Sequence, residues 1–500
     1  MQPIDLKNLE IPRDVIQKVP AKIALFYQII PVSRDEQGLA VATEDPLNIQ
    51  TLDEISAVAG CPLRAVQASG KDIAEAIQKY YGVGADTIEK MMGSVRPVAR
   101  TGLMINRLDD PGSEATISRF LNQILMEAYQ SRATDIHIEP YEDELKIRYR
   151  IDGVLHNAQV PPDIRHFSDA IVTRIKVLSG LNIAERRVPH DGRFKVRAEN
   201  VDLDLRVSFL PTQFGESLVL RILNTAKLYS LEDLALRPDE KDILEKLIKK
   251  PWGIIFLTGP TGSGKTTTLY SCLSRINTED YKIITIEDPV EYQLKGVTQL
   301  QVNPAVGLTF AKGLRSMLRH DPDIMMIGEV RDVETAEIAI QIALTGHLVF
   351  STLHTNDAAG GVARLLDMGV EPYLITSTVE CFIAQRLVRL ICPHCKKPAR
   401  HQHALPDDAA GTRPVVLYEG TGCEQCSGTG YLGRQAVYEF LLFNDKIRKL
   451  VLEHASAESI REAAVASGMR TLAQSGWDKV RLGLTTYHEI LRVTAADKVN

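Results

Sequence analysis

Gly259-Pro260-Thr261-Gly262-Ser263-Gly264-Lys265-Thr266 is the stretch that decides the fold. Gly259, Gly264, Lys265 and Thr266 stand at the required places of the spacing G-x-x-x-x-G-K-[ST]. The apolar run Gly253-Ile-Ile-Phe-Leu257 precedes the octapeptide, and Thr267-Thr-Thr-Leu-Tyr-Ser-Cys-Leu follows it with helical character. Strand, glycine-rich turn and helix in that order separate a phosphate loop from a chance glycine-rich turn. Glycines let backbone N–H groups turn inward around an anion, and the helix start adds the positive end of its dipole. Residues 259–267 are therefore expected to bind a nucleoside triphosphate. Lys265 would reach the β- and γ-phosphates, and the Thr266 hydroxyl would ligate Mg2+.

Around this loop, residues 240–390 alternate apolar strand runs with helices, the pattern of a mostly parallel α/β sheet. Three of the runs end in polar groups. Ile283-Ile-Thr-Ile-Glu-Asp-Pro-Val-Glu291 delivers Glu287, Asp288 and Glu291, either as a solvated acidic loop or as carboxylates that orient water near Mg2+. Asp323-Ile-Met-Met-Ile-Gly-Glu329-Val-Arg331-Asp332 ends in an acid suited to Mg2+, with Gly328 where an aspartate is usual, so Glu329 must carry the role. Thr345-Gly-His347-Leu-Val-Phe-Ser-Thr-Leu-His354 brackets a strand with two histidines. His354 either serves structure or senses the γ-phosphate. Upstream, Arg148, Arg150, Arg206 and Arg221 lie on alternating strands, either solvated or as fingers for a transferring phosphoryl group.

Composition narrows the class. The chain has 500 residues, 44% hydrophobic and 24% charged, which is ordinary for a globular protein of several domains. A net charge of −6 weighs against a motor that holds nucleic acid on a globally basic surface. No run approaches the ~18 apolar residues of a membrane span, and the N-terminus lacks a signal pattern. A cytosolic chain, or one attached to a membrane only through partners, is expected. Residues 1–83 read as a small α/β module, with strands at 28–33 and 38–43 and helices at 49–58 and 71–81. Residues 84–113 are rich in Gly and Pro and read as a linker. A second unit, 114–228, opens with a helix at 115–131. Period-two strands follow at 135–139, 145–151, 201–207 and 217–223, with a helix at 167–179 between them. The nucleotide core is placed at 229–390, a Cys- and Gly-rich subdomain at 391–434 and a helical region at 435–500.

Together the phosphate loop, Ile286-Glu-Asp-Pro-Val-Glu291, Ile327-Gly-Glu-Val-Arg-Asp332 and Thr345–Asp357 resemble the type II/type IV secretion superfamily ATPases. Ser131-Arg-Ala-Thr-Asp-Ile-His-Ile-Glu-Pro140 and Arg148-Tyr-Arg-Ile-Asp-Gly-Val154 look like that family's second N-terminal domain. The resemblance runs over about residues 29–495. It implies a RecA-like ATPase core preceded by an α+β PAS-like domain. It makes Glu291 the acid proposed to activate water, in a box with Glu287 and Asp288. It makes Glu329 the Mg2+-associated acid of an atypical Walker B motif. His347 and His354 become the histidine box, and Arg206 and Arg221 arginines that reach nucleotide phosphates from another domain. It further implies a homohexamer. Residues 1–83 would dock on an inner-membrane protein, a second inner-membrane platform protein would receive the motion, and nucleic acid would not be bound directly. Relatives that bind cyclic di-GMP use paired Arg-Leu-Gly motifs; none stands near this N-terminus, so such binding is not expected.

Cys392-Pro-His-Cys395 and Cys423-Glu-Gln-Cys426 are two tight knuckles. Two such pairs supply the four thiolates of a closed Zn2+ site, and a set of four cysteines also suits iron. A thioredoxin-type redox site uses one such pair after a strand, which fits poorly. Cys61, Cys272 and Cys381 are isolated and read as structural. Within the resembled family, assembly ATPases carry such a tetracysteine domain and retraction ATPases lack it, which favours secretion or pilus extension.

Overall fold

The computed structural model describes residues 111–494, apart from 199–200, 224–228, 402–404 and 406–415, together with most of 4–81. The linker expected at 84–113 lies outside the described residues up to 110, and most of the helix expected at 49–58 lies outside them too. The chain divides into two units, Met1–Asn224 and Thr225–Asn500.

The first unit begins with β1 (Ile29–Asp35), β2 (Gly38–Thr43) and β3 (Leu63–Gln67), in that order across a sheet. The helix Gly70–Tyr81 buries Ile73, Ala76 and Ile77 in the same core as Ile30, Leu39 and Val41. Its hydroxyl-bearing end ties distant backbone: Tyr80 Oη donates to the Leu9 carbonyl at 2.5 Å and Tyr81 Oη to that of Val19 at 2.8 Å.

After the helix Pro111–Gln130, which already takes in the last three residues assigned to the linker, comes a six-stranded antiparallel sheet. Its strands are β4 (Ala133–Pro140), β5 (Leu145–Ile151), β6 (Val154–Asn157), β7 (His190–Ala198), β8 (Val201–Thr212) and β9 (Gly215–Leu223), in the order β6-β5-β4-β9-β8-β7. Alternation decides which face is wet. Ile136, Ile138, Ile147, Leu205, Val207 and Phe209 turn inward with Phe120 and Ile124 of the first helix and Ile171 and Ile175 of the helix Ser168–Leu178. The intervening positions carry charge.

The second unit is built on seven strands: β10 (Gly253–Thr258), β11 (Ile283–Glu287), β12 (Thr298–Gln301), β13 (Ile324–Ile327), β14 (Leu348–Leu353), β15 (Val379–Ile391) and β18 (Tyr431–Leu442). Their order is β12-β11-β13-β14-β10-β15-β18, parallel throughout except for the β15–β18 pair. Both faces are covered, so the strands read as continuous apolar runs. Ile254 and Phe256 enter one core and Ile255 and Leu257 the other. The helical region expected at 435–500 is not a separate body. Residues 435–442 complete the last strand of this sheet, and Ile447, Val451, Ile460, Trp477 and Ile490 of the helices beyond share its core. A small pair, β16 (Lys396–Pro398) and β17 (Tyr418–Gly420), lies between β15 and β18 in sequence.

Candidate active site

In a parallel sheet with helices on both faces, ligands meet the carboxyl ends of the strands. Four of the expected features converge on that end. The phosphate loop leaves β10 and feeds the helix Lys265–Ile276, capped by Gly264. Gly264 has φ 90°, and Gly259, at φ 149°, has no room for a side chain: a Cβ would lie 2.6 Å from the Gln385 carbonyl oxygen. The loop can hug β15 only because it is glycine there. Pro260, Thr261, Gly262 and Thr266 are exposed at the surface of the turn, whereas Ser263 and Lys265 are buried. The Lys265 ammonium donates to the carbonyls of Gly259 at 2.6 Å and Pro260 at 3.1 Å. Burial, then the nearby Arg386 guanidinium, lower its pKa to about 8, against an upward pull from Glu329.

Glu329 follows β13 and meets Arg331 at 2.6 Å and His354 Nε2 at 3.4 Å. His354 follows β14; burial and the charge on Lys265 hold its pKa below the ordinary value. The backbone of this region is tied across strands, with Thr352 Oγ1 donating to the Gly328 carbonyl at 2.7 Å. The two histidines part company here. His347 precedes β14 and so stands at the opposite end of a six-residue strand, roughly 20 Å along it. Its Nδ1 is 2.9 Å from the Ile342 carbonyl and 3.0 Å from Thr345 Oγ1, which makes it a turn-closing residue.

The three acids after β11 also differ. Asp288 is exposed and Glu291 half-buried, while Glu287 is 3% exposed. Glu287 accepts from Thr285 Oγ1 at 2.6 Å, from Gln299 Nε2 at 3.2 Å and from the Tyr270 hydroxyl. Burial pushes its pKa up, and these donors hold it back. It is an anchored carboxylate rather than one presented to substrate. A cavity of about 310 Å3 lies alongside, lined by Asp288, Thr309, Arg331 and Asp332 among others.

Sequence reasoning misses Gln385 and Arg386. Both lie on β15, both are buried, and Arg386 donates to the carbonyls of Gln385 at 3.1 Å and Asn356 at 2.6 Å. Gln385 Oε1 accepts from Thr268 Oγ1 at 2.8 Å. No local spacing marks them; only the placement of β15 beside β10 brings them under the loop.

On the first unit, strand register assembles a charged row: Arg150 opposite Asp135, Asp135 opposite Arg221, Arg221 opposite Arg206, and Arg206 opposite Arg193. Like charges directly opposite destabilise a sheet, so such a row calls for an anion or for acids to offset it. Two aspartates do part of that work: Arg221 Nε donates to Asp135 at 2.8 Å, and Arg193 pairs with Asp204 at 2.8 and 2.7 Å. Arg148 is taken up by a two-pronged pair with Glu139 at 2.8 Å for each bond.

The four cysteines meet. The Sγ atoms of Cys392 and Cys423 are 3.7 Å apart, those of Cys423 and Cys426 3.7 Å, and those of Cys395 and Cys426 3.9 Å. A tetrahedron with Zn–S bonds of about 2.3 Å has edges of about 3.8 Å. The donor set therefore fits one zinc ion and leaves no space for a multi-iron cluster. Backbone N–H groups of Cys423 and Gly430 lie 3.2 and 3.3 Å from the Cys426 sulfur, the pattern that stabilises thiolate.

Comparison with known proteins agrees with this geometry. Residues 110–492 match the family described as Type II/IV secretion system protein, and residues 1–87 match the MshEN domain. The Type IV pilus assembly ATPase PilB of Myxococcus xanthus is 43% identical over 509 residues, covering 99% of this chain and 89% of that protein. The Type II secretion system protein E of Xanthomonas campestris pv. campestris is 43% identical over 501 residues, covering 98% and 88%. Among solved structures, the pilus retraction motor PilT with bound ADP superposes with a TM-score of 0.50 at 27% identity, over 75% of this chain and 96% of that one. The Legionella pneumophila ATPase DotB gives 0.57 at 24% identity, over 76% and 96%, a likeness of fold. With the phosphate loop, its acids and a RecA-like sheet in place, the chain belongs to the type II/IV secretion system protein family and is an ATPase.

Proposed function

We propose that this chain hydrolyses ATP to ADP and phosphate to power pseudopilus assembly and protein export by a type II secretion system. The observation that carries the reading is the convergence of Lys265, Glu329 and His354 at the carboxyl ends of β10, β13 and β14. In this reading residues 259–267 wrap the phosphates and Lys265 meets the β- and γ-oxygens. The Thr266 hydroxyl and Glu329 are hard oxygen donors suited to Mg2+, which when bound offsets phosphate charge. Glu291 orients the attacking water and His354 reads the γ-phosphate. Arg206 and Arg221 reach the phosphates when the first unit closes on the second, and opening after hydrolysis supplies motion. Zinc in the Cys392, Cys395, Cys423 and Cys426 site has all four positions taken by protein, so it stiffens the subdomain and takes no part in hydrolysis.

The working form is a homohexamer in the cytoplasm, peripheral to the inner membrane. Residues 1–83 dock on an inner-membrane protein, and an inner-membrane platform protein is turned by the motor. No helix among the described residues is long and apolar enough to cross a membrane. No direct contact with nucleic acid is included; hydrolysis stimulated by DNA with a steep salt dependence would favour a DNA-uptake or conjugation motor instead. The match of residues 1–87 to the MshEN domain weakens the expectation that cyclic di-GMP is not bound. Calorimetric titration of the full chain decides that point, a micromolar response overturning it.

Type IV pilus extension is the second reading, favoured by the 43% identity to the Myxococcus protein over nearly the whole chain. Restoration of export in a secretion-null strain, against restoration of pili in an extension-null strain, separates the two. The enzymatic core of the proposal is tested by Glu329→Gln in the assembled protein. Turnover is expected to fall at least ~100-fold with ATP still bound, as for loss of an electrostatic group at the reacting phosphate. Unchanged hydrolysis would refute it.

A further inference from the structure

A buried polar cluster sits between the helix Lys265–Ile276 and the segment that carries Glu291, and no part of the proposed chemistry has used it. Its centre is Tyr270, fully buried, five residues beyond Lys265 on the same helix. The Tyr270 hydroxyl donates to the Glu287 carboxylate. The same oxygen accepts, at 3.4 Å each, from the backbone N–H of Glu291 and from Gln299 Nε2. Gln299 staples the segment again further on: its Nε2 donates to the Tyr292 carbonyl at 3.2 Å, and its Oε1 accepts from the Leu294 N–H at 2.7 Å. The Tyr292 ring stands edge-on to that of Tyr270, with centroids 4.5 Å apart at 78°. Residues 291–294 are thus gripped from the phosphate-loop helix on one side and from β12 on the other.

We propose that the Tyr270 hydroxyl, with Glu287 and Gln299, is a positioning hub that holds Glu291 at a set distance from the helix that begins at Lys265. The inference rests on the reading of Glu291 as the acid that orients water. A carboxylate in that role must sit within a few tenths of an ångström of its place relative to the phosphate. The connection from 288 to 297 lies outside both β11 and β12, so its place is set by ties such as these. Anchoring this connection to the helix that also begins with Lys265 places both groups on one rigid element. Glu287 then serves as the hub's acceptor and Tyr270 as a positioning residue, neither touching substrate.

The test is Tyr270→Phe in the full-length assembled protein, which removes one oxygen and keeps the ring. The turnover number is expected to fall by about tenfold to a hundredfold, with KM for ATP within about twofold of native. Hydrogen exchange over residues 288–294 is expected to quicken. Placed on Glu291→Gln, the change is expected to cost no more than Glu291→Gln alone, because the group being positioned is already gone. Native turnover in Tyr270→Phe, unaltered exchange over 288–294, or a full additional loss in the double variant each overturns the hub. If Glu291→Gln alone turns over at the native rate, the assignment of Glu291 fails, and the hub as the anchor of 291–294 then stands or falls on the exchange result. Should Tyr270→Phe not fold, Gln299→Leu breaks the same staple from β12 and is read by the same measurements.

Discussion

Lys265 shows most directly what the surroundings do to a motif residue. Its ammonium is buried and lies near a second cation, Arg386, so its pKa drops from 10.5 to about 8. Below about pH 8 it is charged in both the folded and the unfolded chain, and the cost of burial stands. Between about 8 and 10.5 the folded chain has released the proton and the unfolded chain has not, so rising pH relieves that cost. A bound polyphosphate works the other way: it favours the charged lysine and draws a proton back. Nucleotide affinity is therefore expected to fall by up to about tenfold per pH unit above about 8, with proton uptake on binding. Calorimetric titration in buffers of different ionisation heat measures both. Affinity that stays flat from about pH 7 to 10 would count against Lys265 as the phosphate-binding cation.

Among the elements, the β15–β18 pair has a double task. Its middle supplies Gln385 and Arg386 beneath the phosphate loop, and the segment joining its two strands holds the cysteines. Where that segment returns, Gly420 and Gly430 cross backbone to backbone: a Cβ on Gly420 would lie 2.0 Å from the Gly430 carbonyl oxygen. Gly430 itself donates its N–H toward the Cys426 sulfur. Metal analysis of the purified chain is expected to give about one zinc per chain, and less than about half an equivalent would sink the zinc assignment. Gly420→Ala is expected to lower retained zinc several-fold and to cost stability by at least about 2 kcal/mol, since backbone must move on both sides of the crossing. Native zinc content in that variant would show that the crossing is not what seats the knuckles.

For the whole molecule, the question is what joins the two units in function. The charged row across β5, β4, β9, β8 and β7 belongs to the first unit and the phosphate loop to the second. Arg221→Ala is expected to lower turnover by one to three orders of magnitude, as for an arginine that neutralises charge on a transferring phosphoryl group. Its thermal midpoint is expected to fall by only a few degrees, because Arg221 is more than half exposed and the buried Asp135 keeps Arg150 at 3.9 Å as a second cation. A variant with native turnover would mean that the row serves the sheet and not the nucleotide.

Much of this protein is legible in its amino-acid sequence. The phosphate loop, the acids at the ends of apolar runs and the paired cysteine knuckles are each encoded within a few residues, so spacing alone announces them. The strands with clean alternation, 145–151 and 201–207 among them, are legible for the same reason. What spacing does not resolve is which members of a motif do which work. His347 and His354 stand at equal remove from one apolar run, yet the run is a strand and its two ends face opposite ways. Glu287 and Glu291 share one box, yet one is buried under Tyr270 and Gln299 and the other is left half-buried at the segment's start. The edge strand β6 escapes a reading by pattern because its four residues bury little and are too few to show a period. Gln385 and Arg386 carry no local mark at all. They reach the phosphate loop because β15 pairs with β10, and strand order in a parallel sheet is set by packing over the whole core rather than by any neighbouring residue.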